Sequence, residues 1–226
     1  MPNSGPLQLF AAGGWVMYPL LAVSLLSITL CAERFLYWFR HGELRTTRSI
    51  QRLSGLARRG EWAALREAAR TGAVVGKFAR LVLADVPGRG DAADGPSSRA
   101  PNVDAADVAQ AIETIRGEVE RFGATLSAII TAAPMLGILG TVTGIIRSFR
   151  LLGTQGPISD PSSVASGIAE ALVTTALGLI IALVTLFPYS VFRAKADRCL
   201  GRLDAFGLSL VARSGGAAVR ESETGL

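Results

Sequence analysis

The stretch GIAEALVTTALG, residues 167–178, combines one carboxylate, Glu170, with two adjacent hydroxyls, Thr174 and Thr175, at the head of a strongly apolar run. A carboxylate can take up and release a proton, and a hydroxyl can both donate and accept a hydrogen bond without titrating. An ionisable residue set in hydrocarbon is costly and is by default a functional candidate. A plainer reading stands beside this one. Residues 171–192 can cross a bilayer without Glu170, which then sits in the headgroup zone. At 100° per residue Thr174 lies about one turn from Glu170 on the same face, whereas Thr175 points about 140° away from Glu170. The two threonines therefore cannot share one role.

A second polar set lies between Arg121 and Arg147. Ser127, Thr131, Pro134 and Thr141 fall within one narrow arc of a helix, and Ala133, Gly137, Gly140 and Gly144 form an adjacent stripe. Gly167, Ala171, Gly178 and Ala182 repeat the small-residue theme in the next apolar run. In lipid, small residues let helix backbones approach closely, and packing drives association. Gly137, Gly140, Gly144 and Gly178 are thus expected at helix contacts. The hydroxyl arc has two readings. Ser127 or Thr131 can bond to the Ile130 carbonyl that Pro134 leaves without a donor, or to the preceding turn. Alternatively the arc faces a wet or proton-accessible lumen.

Three runs are long enough for the ~20-residue helix that crosses a bilayer. They are WVMYPLLAVSLLSITLCA from Trp15, the run from Phe122 to Ile146, and the run from Ala171 to Phe192. Half of the 226 residues are hydrophobic and 18% are charged, a balance that points to a membrane protein. No basic residue precedes the first run and arginines follow it, so it is not expected to be a cleaved signal peptide. Residues 1–14 carry no Lys or Arg, residues 40–121 carry fourteen, and the tail from Arg193 carries six. By the positive-inside rule the N-terminus and the 151–165 link are outside, and the 40–121 segment and the tail are cytoplasmic. The net charge of +5 reads as a topology signal rather than a nucleic-acid footprint.

The cytoplasmic residues 44–86 carry helical spacing punctuated by Gly60 and Gly72, and PGRGDAADGPSSRAPN (87–102) reads as a flexible connector. Asp104 or Asp107 can cap a helix that runs without a breaker into the second span. A helix over 104–149 would be roughly 70 Å long at 1.5 Å per residue, against a hydrocarbon core of about 30 Å. The third span continues past Arg193 with Leu200, Leu203, Phe206, Leu210 and Val211 on one face. The expected fold is an all-α membrane protein with three transmembrane helices, the second and third long and extending into the cytoplasm. Its segments are 1–39 (N-terminus and first span), 40–103 (cytoplasmic helical loop) and 104–226 (second and third spans with a C-terminal cytoplasmic helix). Glu33-Arg34 reads as an interface anchor and His41 as a solvated interface residue. Cys31 and Cys199 make no disulfide framework. No Cys/His pair, carboxylate–His cluster, phosphate-cradling loop or dinucleotide fingerprint occurs, so neither an enzyme, a metal site nor a cofactor is expected.

APMLGILGTVTGIIRSF (133–149), followed by VASGIAEALVTTALGLIIA (164–182), closely resembles the MotA/TolQ/ExbB proton-channel family. The likeness is greater to the ExbB/TolQ branch, and residues 15–38, with their terminal Glu-Arg pair, resemble that branch's first span. The chain departs from the pattern at the end of the third span. It has Val184 where proline is usual, with Pro188 one turn later, and Tyr189-Ser190 for Tyr-Asn. The resemblance implies a bacterial inner-membrane ring, a pentamer of this chain, around the helices of an ExbD- or TolR-like single-span partner, with a TonB-like protein as a further associate. Proton flow would then energise outer-membrane transport. A TolQ-like role in envelope constriction, a gliding motor and a non-conducting membrane scaffold are the alternatives. The resemblance assigns Thr141 and Thr175 to the pore lining and Glu170 to the proton pathway. The partner supplies the proton-carrying aspartate. Thr131, Thr174 and Ser127 remain candidates for additional lumen or packing roles.

Overall fold

The computed structural model describes residues 14–41, 43–71, 74–84, 103–154 and 161–224, and every regular element among them is an α-helix. In chain order these are α1 (Met17–His41), α2 (Glu43–Arg59), α3 (Trp62–Thr71), α4 (Val74–Val82), α5 (Ala105–Val119), α6 (Gly123–Thr154) and α7 (Pro161–Thr224). Three of them are long and apolar enough to cross a membrane: Met17–Arg40, Gly123–Arg150 and Val164–Arg213. Pro134 lies inside α6 and Pro188 inside α7, and neither ends its helix. Gly72 and the 87–102 connector lie outside the described residues, as does the side chain of His41.

The expectation of one unbroken helix from about 104 into the second span is corrected. Asp104 caps α5 by accepting from the Ala105 amide (2.6 Å), and Asp107 reaches back to the Asp104 amide (3.1 Å). α5 then stops at Glu120, whose N–H donates to the Arg116 carbonyl (2.8 Å). Phe122 adopts φ 64°, the left-handed region that a bulky residue rarely enters. Its carbonyl accepts from the Leu126 amide (2.9 Å) and starts α6. The guanidinium of Arg34 stands 5.5 Å above the Phe122 ring and forms two hydrogen bonds with Glu33 (2.7 and 3.0 Å). Arg34 is 3% exposed, so it is a buried cation with a carboxylate and an aromatic face as partners rather than only a surface anchor.

The chain divides into two compact units, each assembled from separated stretches of sequence. The first joins the described residues up to Phe35 with Phe122–Phe192. Its core contains Met17, Leu20, Leu126, Ile129, Ala133, Ile181 and Ala182, with Leu136 and Leu177 packed against it. Large apolar side chains such as Leu25, Ile28, Met135, Ile138, Leu179 and Leu183 stay exposed. In water such surface would be untenable, whereas hydrocarbon or neighbouring helices accommodate it. Ser27 and Thr185, both buried, share a 2.5 Å hydrogen bond that ties α1 to α7 in the middle of this apolar set, and Thr185 also faces the Ile181 carbonyl at 2.7 Å.

The second unit joins Leu36–Arg121 with the described residues from Arg193 onward. Gly60, at φ 71°, ends α2, where any other residue would be strained. Leu65, Ala69, Phe78 and Ile115 are nearly inaccessible, as are Leu203, Phe206 and Leu210 of α7, and the Phe78 and Phe206 rings lie 6.2 Å apart. The apolar face read from 200–211 is therefore a core face: Leu200 is also buried, and Val211 is half-buried. Arg202 donates to the Thr47 hydroxyl (2.7 Å), and Lys77 pairs with Glu118 (2.6 Å).

The burial pattern of α7 distinguishes two identical substitutions. Leu203→Ala, at a site with 0% exposure, is expected to cost about 2–5 kcal/mol, whereas Leu208→Ala, at 51% exposure, stays within about 0.5 kcal/mol. Denaturant or thermal unfolding of the two purified variants checks this. Equal losses would contradict the packing.

Candidate functional site

α6 and α7 meet along a seam of residues with little or no side chain. A Cβ added at Gly178 would lie 2.5 Å from the Ala133 carbonyl oxygen and 3.2 Å from Gly137 Cα. One added at Gly137 would lie 2.9 Å from Thr175 Cα, and one at Gly140 would lie 2.7 Å from Thr174 Cβ. At Gly144 it would lie 2.6 Å from Ala171 Cβ, and Gly167 faces Ser148 in the same way. The seam thus runs antiparallel, with residues 133, 137, 140, 144 and 148 of α6 against 178, 175, 174, 171 and 167 of α7. Lipid gives helices no hydrophobic reason to associate, so dispersion and backbone-level hydrogen bonding across such a seam supply the attraction.

The close approach determines what the threonines do. Thr174 is fully buried against Gly140 and donates to the Ala171 carbonyl of its own helix (2.7 Å), with the Gly137 carbonyl at 3.4 Å. Thr175 is half-buried and donates across the seam to the Gly137 carbonyl (2.9 Å). Thr141, also half-buried, donates to the Ile138 carbonyl (2.7 Å), and its Oγ1 lies 3.4 Å from that of Thr175. Each hydroxyl has one hydrogen. With both hydrogens directed at carbonyls, the two oxygens present lone pairs to each other and to whatever lies beside them. The Thr175 hydrogen has a second acceptor within reach, since rotation about one bond moves it from the Gly137 carbonyl toward Thr141. The pair can therefore accept from an incoming donor and rearrange without either group ionising.

Glu170 is placed elsewhere. It lines a cavity of about 540 Å³ with Trp15, Gly144, Arg147, Ser148, Arg150 and Gly167, and neither Thr141 nor Thr175 borders this space. The half-buried carboxylate has no hydrogen bond or ion pair among the described residues, and the same holds for Arg147. The structure so brings together two of the three residues that the resemblance assigns to the pathway, and sets the third about a turn and a half along α7 with arginines for neighbours.

Of the remaining candidates, Ser127 and Thr131 are exposed on α6. Thr131 bonds to the Ser127 carbonyl (3.2 Å), its own preceding turn, and not to the Ile130 carbonyl. Two polar features escaped the sequence reading. Ser27 and Thr185 are separated by 158 positions, and nothing local couples them. Arg147 reads from sequence only as the end of a span, and its place opposite Glu170 depends on the antiparallel register of the seam. Among the described residues no cluster of His, Cys, Asp or Glu could hold a metal ion.

Three helices long and apolar enough to cross a membrane, two of them joined by a small-residue seam beside a hydroxyl pair, are the architecture of a polytopic α-helical membrane protein. Residues 94–205 match the family model described as the MotA/TolQ/ExbB proton channel family. The chain is 32% identical to the biopolymer transport relative ExbB-like 3 of a Synechocystis strain, over 81% of this chain and 82% of the relative. It is 33% identical to ExbB-like 1 of the same organism, over 90% of this chain and 77% of that one. The Tol-Pal system protein TolQ of Pseudomonas aeruginosa is 39% identical over 41% of each chain. The chain belongs to the MotA/TolQ/ExbB proton channel family, on its ExbB/TolQ branch.

The seam makes a specific demand on Gly178. Gly178→Ala directs a methyl at a backbone carbonyl and is expected to cost about 1–3 kcal/mol or to loosen the helix pair. Gly201→Ala, with nothing within 4 Å, should be neutral or slightly stabilising. Thermal denaturation of both variants in one detergent provides the comparison, and equal behaviour would mean that α6 and α7 do not meet as described.

Proposed function

We propose that this chain is a proton-conducting motor subunit of the bacterial inner membrane. It forms a homo-oligomeric ring, a pentamer, around an ExbD/TolR-like single-span partner. The N-terminus is periplasmic and the C-terminus cytoplasmic, as the Lys and Arg distribution favours. The process it energises is biopolymer transport at the outer membrane, in keeping with the names of its relatives, and a TonB-like protein would carry the motion onward.

The observation that carries this reading is the Thr141–Thr175 pair, two hydroxyl oxygens 3.4 Å apart on two neighbouring helices, each long and apolar enough to cross a membrane. A proton moving across the membrane releases about 2.3 kcal/mol per 100 mV. Capturing it requires a group that is neutralised and recharged within the low-dielectric zone, and polar neighbours that stabilise both forms. This chain offers the neighbours. The titrating carboxylate would come from the partner's span, whose protonated form can donate to the lone pairs that Thr141 and Thr175 expose. Glu170 would act at the wider outer end of the path, where its charge favours cations. Thr174, tied to its own helix and packed on Gly140, serves the seam rather than the path.

The test is partner-dependent proton uptake by vesicles holding the co-purified complex, read with an interior pH dye. Thr141→Val and Thr175→Val should each lower the flux at least about tenfold, the loss expected when a positioned proton-transfer partner is removed. Thr29→Val, on the exposed side of α1 where Thr29 bonds to Leu25, should leave it unchanged. Full flux from both pair variants, with the complex intact, would take the pair out of the path, and a wild-type complex without partner-dependent flux would favour a non-conducting scaffold.

A further inference from the structure

α5 and α6 follow each other in the chain, and the sequence between them does not call for a break at Phe122. No proline stands between Pro101 and Pro134. The residue suited to a left-handed turn is Gly123, which has open space where a Cβ would sit and no steric cost at positive φ. The chain instead turns one residue earlier, with Phe122 at φ 64°, and Gly123 opens α6. A bulky side chain in that region is strained, and such strain persists only where the surroundings hold it.

Two things hold the Phe122 ring, both within the first unit. It packs against the apolar core, and the Arg34 guanidinium stands 5.5 Å from its centroid. Arg34 is buried, so little water competes for its charge. Its Nε and Nη2 donate to the two carboxylate oxygens of Glu33 (2.7 and 3.0 Å), which fixes the plane of the guanidinium. A desolvated cation–π contact returns about as much free energy as a left-handed side chain costs. The observed break and an unbroken helix from Ala105 into α6 are therefore closely balanced, and the cation decides between them. We propose that Arg34 and Phe122 form a conformational latch. With the cation over the ring, Phe122 stays left-handed and α6 starts afresh. With the cation withdrawn, Phe122 returns to the right-handed region and α5 runs on into α6. The latch requires none of Thr141, Thr175 or Glu170, so it stands apart from proton conduction.

The test is hydrogen exchange of the full chain in detergent, read by mass spectrometry of peptides covering the amides of residues 123–125. These are the first amides of α6, which have no acceptor within their own helix while the break persists. In an unbroken helix they would donate to the carbonyls of residues 119–121 and be protected. Arg34→Gln should slow their exchange about tenfold relative to wild type, the shift that one desolvated cation–π contact supports. Phe122→Leu keeps apolar bulk and leaves the Glu33–Arg34 pair intact, and it should slow exchange to the same extent. Phe122→Gly takes positive φ without help, so it should exchange like wild type, and adding Arg34→Gln to it should change nothing. That rescue separates the latch from a plain packing role, because an arginine needed only for packing or charge balance would be missed whatever stands at position 122. Should Arg34→Gln not fold, Phe122→Leu against Phe122→Gly still decides. Unchanged or faster exchange in Phe122→Leu, or slow exchange in the double variant, would overturn the latch.

Discussion

The backbones of α6 and α7 approach so closely that no side chain fits between them at Gly137, Gly140, Gly144 and Gly178. Much else in the first unit follows from that approach. It brings the Gly137 carbonyl within reach of a hydroxyl on the other helix, which is how Thr175 finds a partner across the seam rather than on its own turn. It buries Thr174 completely, so that two neighbouring threonines acquire different surroundings. It also fixes the register that sets Arg147 and Ser148 at the level of Gly167 and Glu170. In hydrocarbon, where apolar surfaces gain little from meeting each other, this contact has to be made by dispersion at short range and by hydrogen bonds to the main chain.

The polar groups of the spans are handled in two ways. Thr29, Thr131, Thr143 and Ser148 return their hydroxyls to carbonyls three or four residues earlier, which satisfies the donor at no tertiary cost. Thr175 and Ser27 instead reach across helices, and Arg34 gathers Glu33 and the Phe122 ring around a buried charge. Cross-helix bonds of this kind specify which faces meet, whereas local ones do not. In the proposed channel the same chemistry serves conduction, because a hydroxyl that already has two acceptors within reach can exchange between them.

Much of this was legible in the sequence. The bilayer demands about 20 apolar residues per helix, so the three spans stood out, and the stripe of glycines showed at 100° per residue. That Thr174 and Thr175 face different surroundings was visible from helical phase. The Asp104 cap and the apolar face from Leu200 to Leu210 followed from rules that act within a few residues. What was hidden depended on distant partners. The break before α6 uses a phenylalanine, not a glycine, at positive φ, and its ring meets an arginine from α1. The Ser27–Thr185 bond and the surroundings of Glu170 exist only once helices far apart in sequence are brought to one register.

The central claim is that Thr141 and Thr175 act as one unit across the seam. A double-mutant cycle on partner-dependent proton flux, with Thr141→Val and Thr175→Val alone and combined, measures that coupling directly. The account predicts that the double variant conducts no worse than the more impaired single variant, since either change removes the shared function. Losses that multiply, each threonine contributing independently of the other, would contradict it.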